Sequence, residues 1–135
     1  MSFDDELKEL ILDAKADAER RHQELIQFRD DWQFKKTHIV KPVLDQSVTA
    51  LKIYSAFDAL TELRNGSIRL KMGPKSDPKQ SVTYELIFSP IDENLEIQCT
   101  SRNTNLSPES FTLDSLDGST VEGKVKEFVS AVLKG

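Results

Sequence analysis

Apolar side chains recur at Phe3, Leu7, Leu10, Ala14, Ala18, Leu25, Phe28 and Trp32, in steps of three and four that only Arg21 interrupts. Such steps fall on one side of a 3.6-residue helix, so the spacing predicts one amphipathic helix from Phe3 to about Phe34. Ser2 stands where an N-cap belongs, and Asp4, Asp5 and Glu6 fill the first turn at the positive end of the helix dipole. No Gly or Pro occurs before Pro42, so nothing stops the helix early. Acid-before-base pairs four residues apart (Asp4 with Lys8, Asp17 with Arg21, Asp31 with Lys35) are expected to support the outer side by ~0.2–0.5 kcal/mol each.

A second helical stripe runs through Val40, Leu44, Val48 and Leu51, with Ile39 and Val43 beside it. Pro42 lacks an amide proton and disfavours the αR conformation at Lys41. A break or sharp kink is therefore expected near Thr37–Lys41, with the second helix running to about Lys52 and the pair forming a hairpin or a bent rod. From Ser55 to Arg64 two patterns compete. Phe57, Ala59, Thr61 and Leu63 alternate as a strand does, whereas Ala56, Leu60 and Leu63 fit a helix ended by Asn65-Gly66; the alternation is the favoured reading.

Asn65-Gly66 is a hairpin signal, after which Ile68, Leu70 and Met72 alternate with Ser67, Arg69 and Lys71 in a half-buried strand. Gly73-Pro74 and Asp77-Pro78 bracket a polar loop. Val82, Tyr84, Leu86 and Phe88 mark a third strand that Pro90 should end, Leu95, Ile97 and Cys99 a fourth, and Phe111 with Leu113 a short last one. Ser119-Thr120-Val121-Glu122 has the form of a capping box, and Val121, Val125, Phe128 and Val132 predict a C-terminal helix. Connections this short exclude parallel crossovers. The expected fold is α+β: a long N-terminal helix, a kinked second helix, a four- to five-stranded antiparallel meander, and a C-terminal helix on one sheet face.

Length adds a constraint to this pattern. A chain of 135 residues is sized for one domain over 1–135. Within the amphipathic segment 1–36, a helix from Phe3 to about Phe34 would reach about 48 Å, against a diameter of roughly 37 Å for a compact domain of this size. Part of it should overhang and leave large side chains in water, at ~1.5–3 kcal/mol apiece relative to burial. A self-complementary contact with a second copy would cover them, which nominates Phe3, Leu7, Leu10, Ile11, Ala14 and Ala18 as an interface. The alternative is a helix that breaks near Ala14–Ala18 and folds back on its own sheet.

Charge narrows the choice of partners. Lys and Arg total 18 against 23 Asp and Glu, a net −5 whose field disfavours a nucleic-acid partner. Residues 37–79 are nevertheless locally basic, and Arg64, Arg69, Lys71, Lys75 and Lys79 form a candidate anion-binding set. No aromatic residue lies between Arg64 and Lys79 to stack a base, so the simpler expectation is a solvated sheet face paired with Glu85 and Glu96. The N-terminus is acidic where a signal peptide would be basic, and no run approaches the ~20 apolar residues of a membrane span, so a cytoplasmic protein without membrane contact is expected.

Catalytic chemistry is sparse. His22 and His38 have no His or Cys at metal-ligand spacing and read as solvated or capping residues. Cys99 is the single cysteine and reads as a core residue rather than a nucleophile. The carboxylates of Asp4-Asp5-Glu6, Asp30-Asp31 and Asp92-Glu93 suit a helix start, a helix surface and a turn. No phosphate-cradling glycine motif is present, and no metal or cofactor is expected. Phe28, Trp32 and Phe34 read as core or interface anchors. The favoured function is a non-enzymatic interaction module acting as a small acidic homodimer, with another protein as a further partner. The alternatives are a ligand binder or enzyme with a helix–sheet cleft, and a weak nucleic-acid binder using Arg64–Lys79.

Overall fold

The computed structural model describes residues 2–77, 79 and 82–134. Helix α1 spans Phe3–Lys35 without interruption, and Ser2 caps it, its hydroxyl accepting the Asp5 amide at 3.3 Å. The break considered near Ala14–Ala18 does not occur. Lys36–Val40 form a π-helical turn, and α2 follows over Lys41–Tyr54, so the chain stays helical from Phe3 to Tyr54 as a bent rod. Of the break or sharp kink expected near Thr37–Lys41, the chain takes the kink, as a widened turn in which the Lys41 amide reaches back to the Lys36 carbonyl. Pro42 sits in the first turn of α2, and the extra residue of the π turn takes up the conflict between its ring and the preceding carbonyls.

Strands β1 (Phe57–Arg64), β2 (Ser67–Pro74), β3 (Tyr84–Ile91), β4 (Glu96–Arg102) and β5 (Glu109–Thr112) form an antiparallel sheet in the order β1-β2-β3-β4-β5. The alternation at 57–64 is thus a strand. Asn65 and Gly66, with φ of 43° and 84°, make the tight turn between β1 and β2. Strand β3 begins after Val82 and continues through Pro90, contrary to the stop expected there. The pairing with β2 ends at Ile68–Phe88, so at Pro90 only β4 adjoins the strand, an edge position of the kind in which proline is found. Pro78, expected to bracket the β2–β3 loop, lies outside the described residues.

Helix α3 spans Gly118–Lys134. Its cap is Asp117 rather than the expected Ser119: the Asp117 carboxylate accepts the Thr120 amide at 2.8 Å, and its carbonyl accepts the Val121 amide. Leu116 is fully buried just before it, so the chain turns into the helix two residues early. The amide bond from Thr120 also holds the Asp117 carboxyl below the usual carboxylate range.

One sheet face carries Ala59, Ile68, Leu70, Met72, Leu86, Phe88, Ile97 and Cys99 into a core closed by Leu44 and Leu51 of α2, Val121, Val125, Phe128 and Val132 of α3, and Phe28 and Trp32 of α1. The opposite face is not simply solvated. Arg69, Glu85 and Ile87 on it are buried, because long charged neighbours on adjacent strands lie over them.

Candidate interaction surface

The two halves of α1 meet different environments. Its last turns rest on the end of the sheet where β1 turns into β2 and β3 into β4. There Trp32 is 2% exposed and its Nε1–H donates to the Gly66 carbonyl at 2.6 Å. Arg29 donates to the Asp92 carboxylate at 2.6 Å, which raises the pKa of its guanidinium. Lys35 Nζ donates to the carbonyls of Leu113 and Leu116, beyond β5. Three loops are thus tied to three successive turns of one helix.

Upstream, every residue from Ser2 to Glu24 is exposed. Phe3 is 73% exposed, Leu7 43%, Leu10 66% and Ile11 60%, and Ala14 and Ala18 are exposed between charged neighbours. The six residues nominated from sequence therefore lie together on a helical arm that its own chain does not cover. At 1.5 Å per residue the arm extends about 33 Å. Two of the large exposed apolar residues of α1, Leu12 and Ile26, lie off the stripe and were not nominated.

The expected charge pairs along α1 are rearranged. Asp17 pairs with Arg20 at 3.5 Å rather than with Arg21, and Arg20 also approaches Glu24 at 3.9 Å. Asp31 accepts from Gln27 instead of Lys35, whose amine the Leu113 and Leu116 carbonyls have claimed. Asp4 and Arg21 have no ion-pair partner among the described residues.

The candidate anion-binding residues separate into an ion-paired lattice and a cap. Arg69 lies 3.3 Å from Glu85, Lys71 lies 3.1 Å from Glu62 and 3.9 Å from Glu85, Arg102 lies 3.4 Å from Glu85, and Arg64 pairs with Glu62. Glu62 takes the place foreseen for Glu96, because β1 rather than β4 borders β2 on that side. The bond from Lys71 holds the Glu62 carboxyl below its ordinary pKa. Lys75 turns away and donates to the Lys52 and Ser55 carbonyls at the end of α2, while Lys79 lies exposed in the following loop. The cations on the sheet face are thus already matched to carboxylates.

The space between α3 and the sheet narrows to a void lined by Leu86, Cys99, Ser101, Leu106, Lys124 and Glu127, with room for a single water. An open apolar groove lies instead between α2 and α3, lined by Ala50, Leu51, Val125, Val129 and Leu133. Cys99 is buried, and desolvation pushes its thiol pKa up to about 12. His38 packs beside Phe34 with ring centroids 4.4 Å apart, and His22 is exposed on the arm. Lys36, in the π turn, is 6% exposed, and burial lowers its pKa. Among the described residues no group of three His, Cys, Asp or Glu side chains is placed to hold a metal ion, and no helix is long and apolar enough to cross a membrane.

Sequence reasoning missed the anchors Arg29, Lys35 and Asp92. Arg29 and Lys35 bond to groups 63 and 78 residues away, and no local pattern signals such contacts.

No protein-family model, curated protein or solved structure matches the chain.

Proposed function

We propose that the protein is a non-enzymatic interaction module that self-associates as a homodimer through the α1 arm. The observation that carries this reading is the continuous exposure of residues 2–24 together with the apolar stripe Phe3, Leu7, Leu10, Ile11, Ala14 and Ala18. A soluble monomer gains nothing by holding four large apolar side chains of one helix in water, at ~1.5–3 kcal/mol each relative to burial. A second copy presents the same stripe, and a two-fold contact lets each cover the other. The rigid attachment of Arg29, Trp32 and Lys35 supports the same reading, since it fixes the direction in which the arm leaves the sheet. The reading takes the protein as cytoplasmic and the dimer as a scaffold able to present the α2–α3 groove twice to another protein.

Light scattering on the eluting peak tests it. Wild-type protein should give twice the 15.3 kDa chain mass at high concentration, and Leu7→Glu with Leu10→Glu should give a single chain with unchanged circular dichroism. A wild-type mass of one chain at every concentration would end the proposal.

A further inference from the structure

Arg21 is the one polar residue on the apolar stripe of α1, and it has no ion-pair partner among the described residues. Resting on the proposed self-association, we infer that two copies pair their arms antiparallel, in a register that sets Arg21 of each copy into the acidic first turn of the other. Residues whose numbers sum to about 25 then face each other: Arg21 meets Asp4, Leu7 meets Ala18, Ile11 meets Ala14, and Phe3 meets His22.

Three features of the arm agree on this register, and a fourth describes the seam it makes. The first is charge. Residues 4–13 carry Asp4, Asp5, Glu6, Glu9 and Asp13 against the single Lys8, whereas residues 15–22 carry Lys15, Arg20 and Arg21 with His22 against Asp17 and Glu19. An antiparallel pair brings acidic and basic ends together twice. A parallel pair would set Arg21 beside Arg21 on the seam and one acidic first turn beside the other.

The second is size. Large residues (Phe3, Leu7, Leu10, Ile11) fill one end of the exposed stripe and small ones (Ala14, Ala18) the other, so reversing one helix sets Leu7 against Ala18 and Ile11 against Ala14 and lets the backbones approach there. The third is the extent of exposure. The uncovered segment runs from Ser2 to Glu24, with its midpoint at residue 13, and Leu25 and Phe28 already belong to the body of the protein. An arm paired about its midpoint therefore ends where the partner's body begins. The fourth is period. From Phe3 to Trp32 the stripe advances in mixed steps that average close to 3.6 residues, the period of a straight α-helix, so the contact lies along a nearly straight seam.

Arg20 sits towards the back of this seam, where its contacts with Asp17 and Glu24 within one chain persist. Arg21 is the charged side chain that the contact would desolvate, and Asp4 with Glu6 would flank it.

Cysteine cross-linking tests the register. In it, Leu7 of one copy adjoins Ala18 of the other, while Leu7 and its own counterpart lie eleven residues apart along the axis, about 16 Å. That exceeds the ~7 Å between Cα atoms that a disulfide spans. Both positions are exposed, so Leu7→Cys and Ala18→Cys leave the fold intact. The native Cys99, buried with a protonated thiol, stays out of the exchange.

Under mild oxidation a mixture of L7C and A18C chains should form a mixed covalent dimer, and neither variant alone should. In a second arm, R21E should weaken association by about tenfold or more, and D4R/E6R/R21E, which restores opposite charges across an antiparallel contact only, should recover it. Cross-linking of L7C to itself would overturn the antiparallel register while leaving self-association standing. A dimeric wild type with no cross-link in any mixture would overturn this contact. A wild type of one-chain mass throughout would overturn both the register and the reading on which it rests.

Discussion

The two halves of α1 carry the same apolar periodicity, and the fold treats them oppositely. Between Leu25 and Trp32 the stripe is driven into the core, with Phe28 and Trp32 each at most 4% exposed, and Arg29, Trp32 and Lys35 are tied to three loops. Between Phe3 and Ala18 the same stripe meets only water. Helix formation is governed locally, by caps, propensity and the absence of Gly and Pro, whereas burial is decided by what lies opposite. A continuous stripe therefore marks the side of a helix suited to burial without saying whether its own chain meets it there.

That contrast is exposed to experiment at several magnitudes. The largest effect is expected at the anchored half. Trp32→Ala should lower the unfolding free energy by about 3–5 kcal/mol through the cavity and the lost bond to Gly66, while Leu10→Ala at dilute, monomeric concentration should change it by less than about 0.5 kcal/mol. Urea titrations of the two variants side by side measure the gap, and equal losses would mean that the arm is covered within its own chain. A middle-sized effect is expected from Lys35→Met. It keeps the aliphatic stem but strips the Leu113 and Leu116 carbonyls of their donor, at about 1–3 kcal/mol, and hydrogen exchange at residues 113–116 should rise with it.

The smallest effect concerns α2, where Lys41 lies 2.7 Å from Asp45 and holds its carboxyl below the usual pKa. A depressed carboxylate contributes stability that is present above its unfolded pKa of about 3.9 and is lost as the pH falls through the lower folded value. The pair is nearly half exposed, so Asp45→Asn should cost at most ~0.5 kcal/mol at neutral pH and flatten the acid limb of the melting temperature only slightly.

How far the chain could be read in advance follows the same division between local and distant causes. The α+β meander, the long first helix, the Asn65-Gly66 turn and the strand over Phe57–Arg64 were legible because each rests on periodicity or turn chemistry within a few residues. Pro42 pointed to a break or a sharp kink, and of the two the bend is found; sequence shows the missing donor but not the π turn that absorbs it. Asp117 was passed over as a cap for Ser119 because the burial of Leu116, which sets where the chain turns, depends on the whole core. Pairing of the basic sheet face with Glu85 was foreseen, but the part played by Glu62 in place of Glu96 required the strand order, and the anchoring of Arg29 and Lys35 required the placing of distant loops. Of the interaction surface, the stripe and its overhang were legible from periodicity and helix length; that the uncovered part runs as far as Glu24 was not, because this turns on how far the sheet reaches along the helix.

The central claim, that residues of the α1 arm serve association rather than folding, is tested most directly by sedimentation equilibrium on the full chain and on a chain lacking residues 2–18, with the melting temperature recorded for each at dilute concentration. The account predicts a concentration-dependent dimer for the full chain, a monomer for the shortened one, and melting temperatures that agree. A shortened chain that unfolds well below the full-length protein, or two chains that are both monomeric at every concentration, would contradict it.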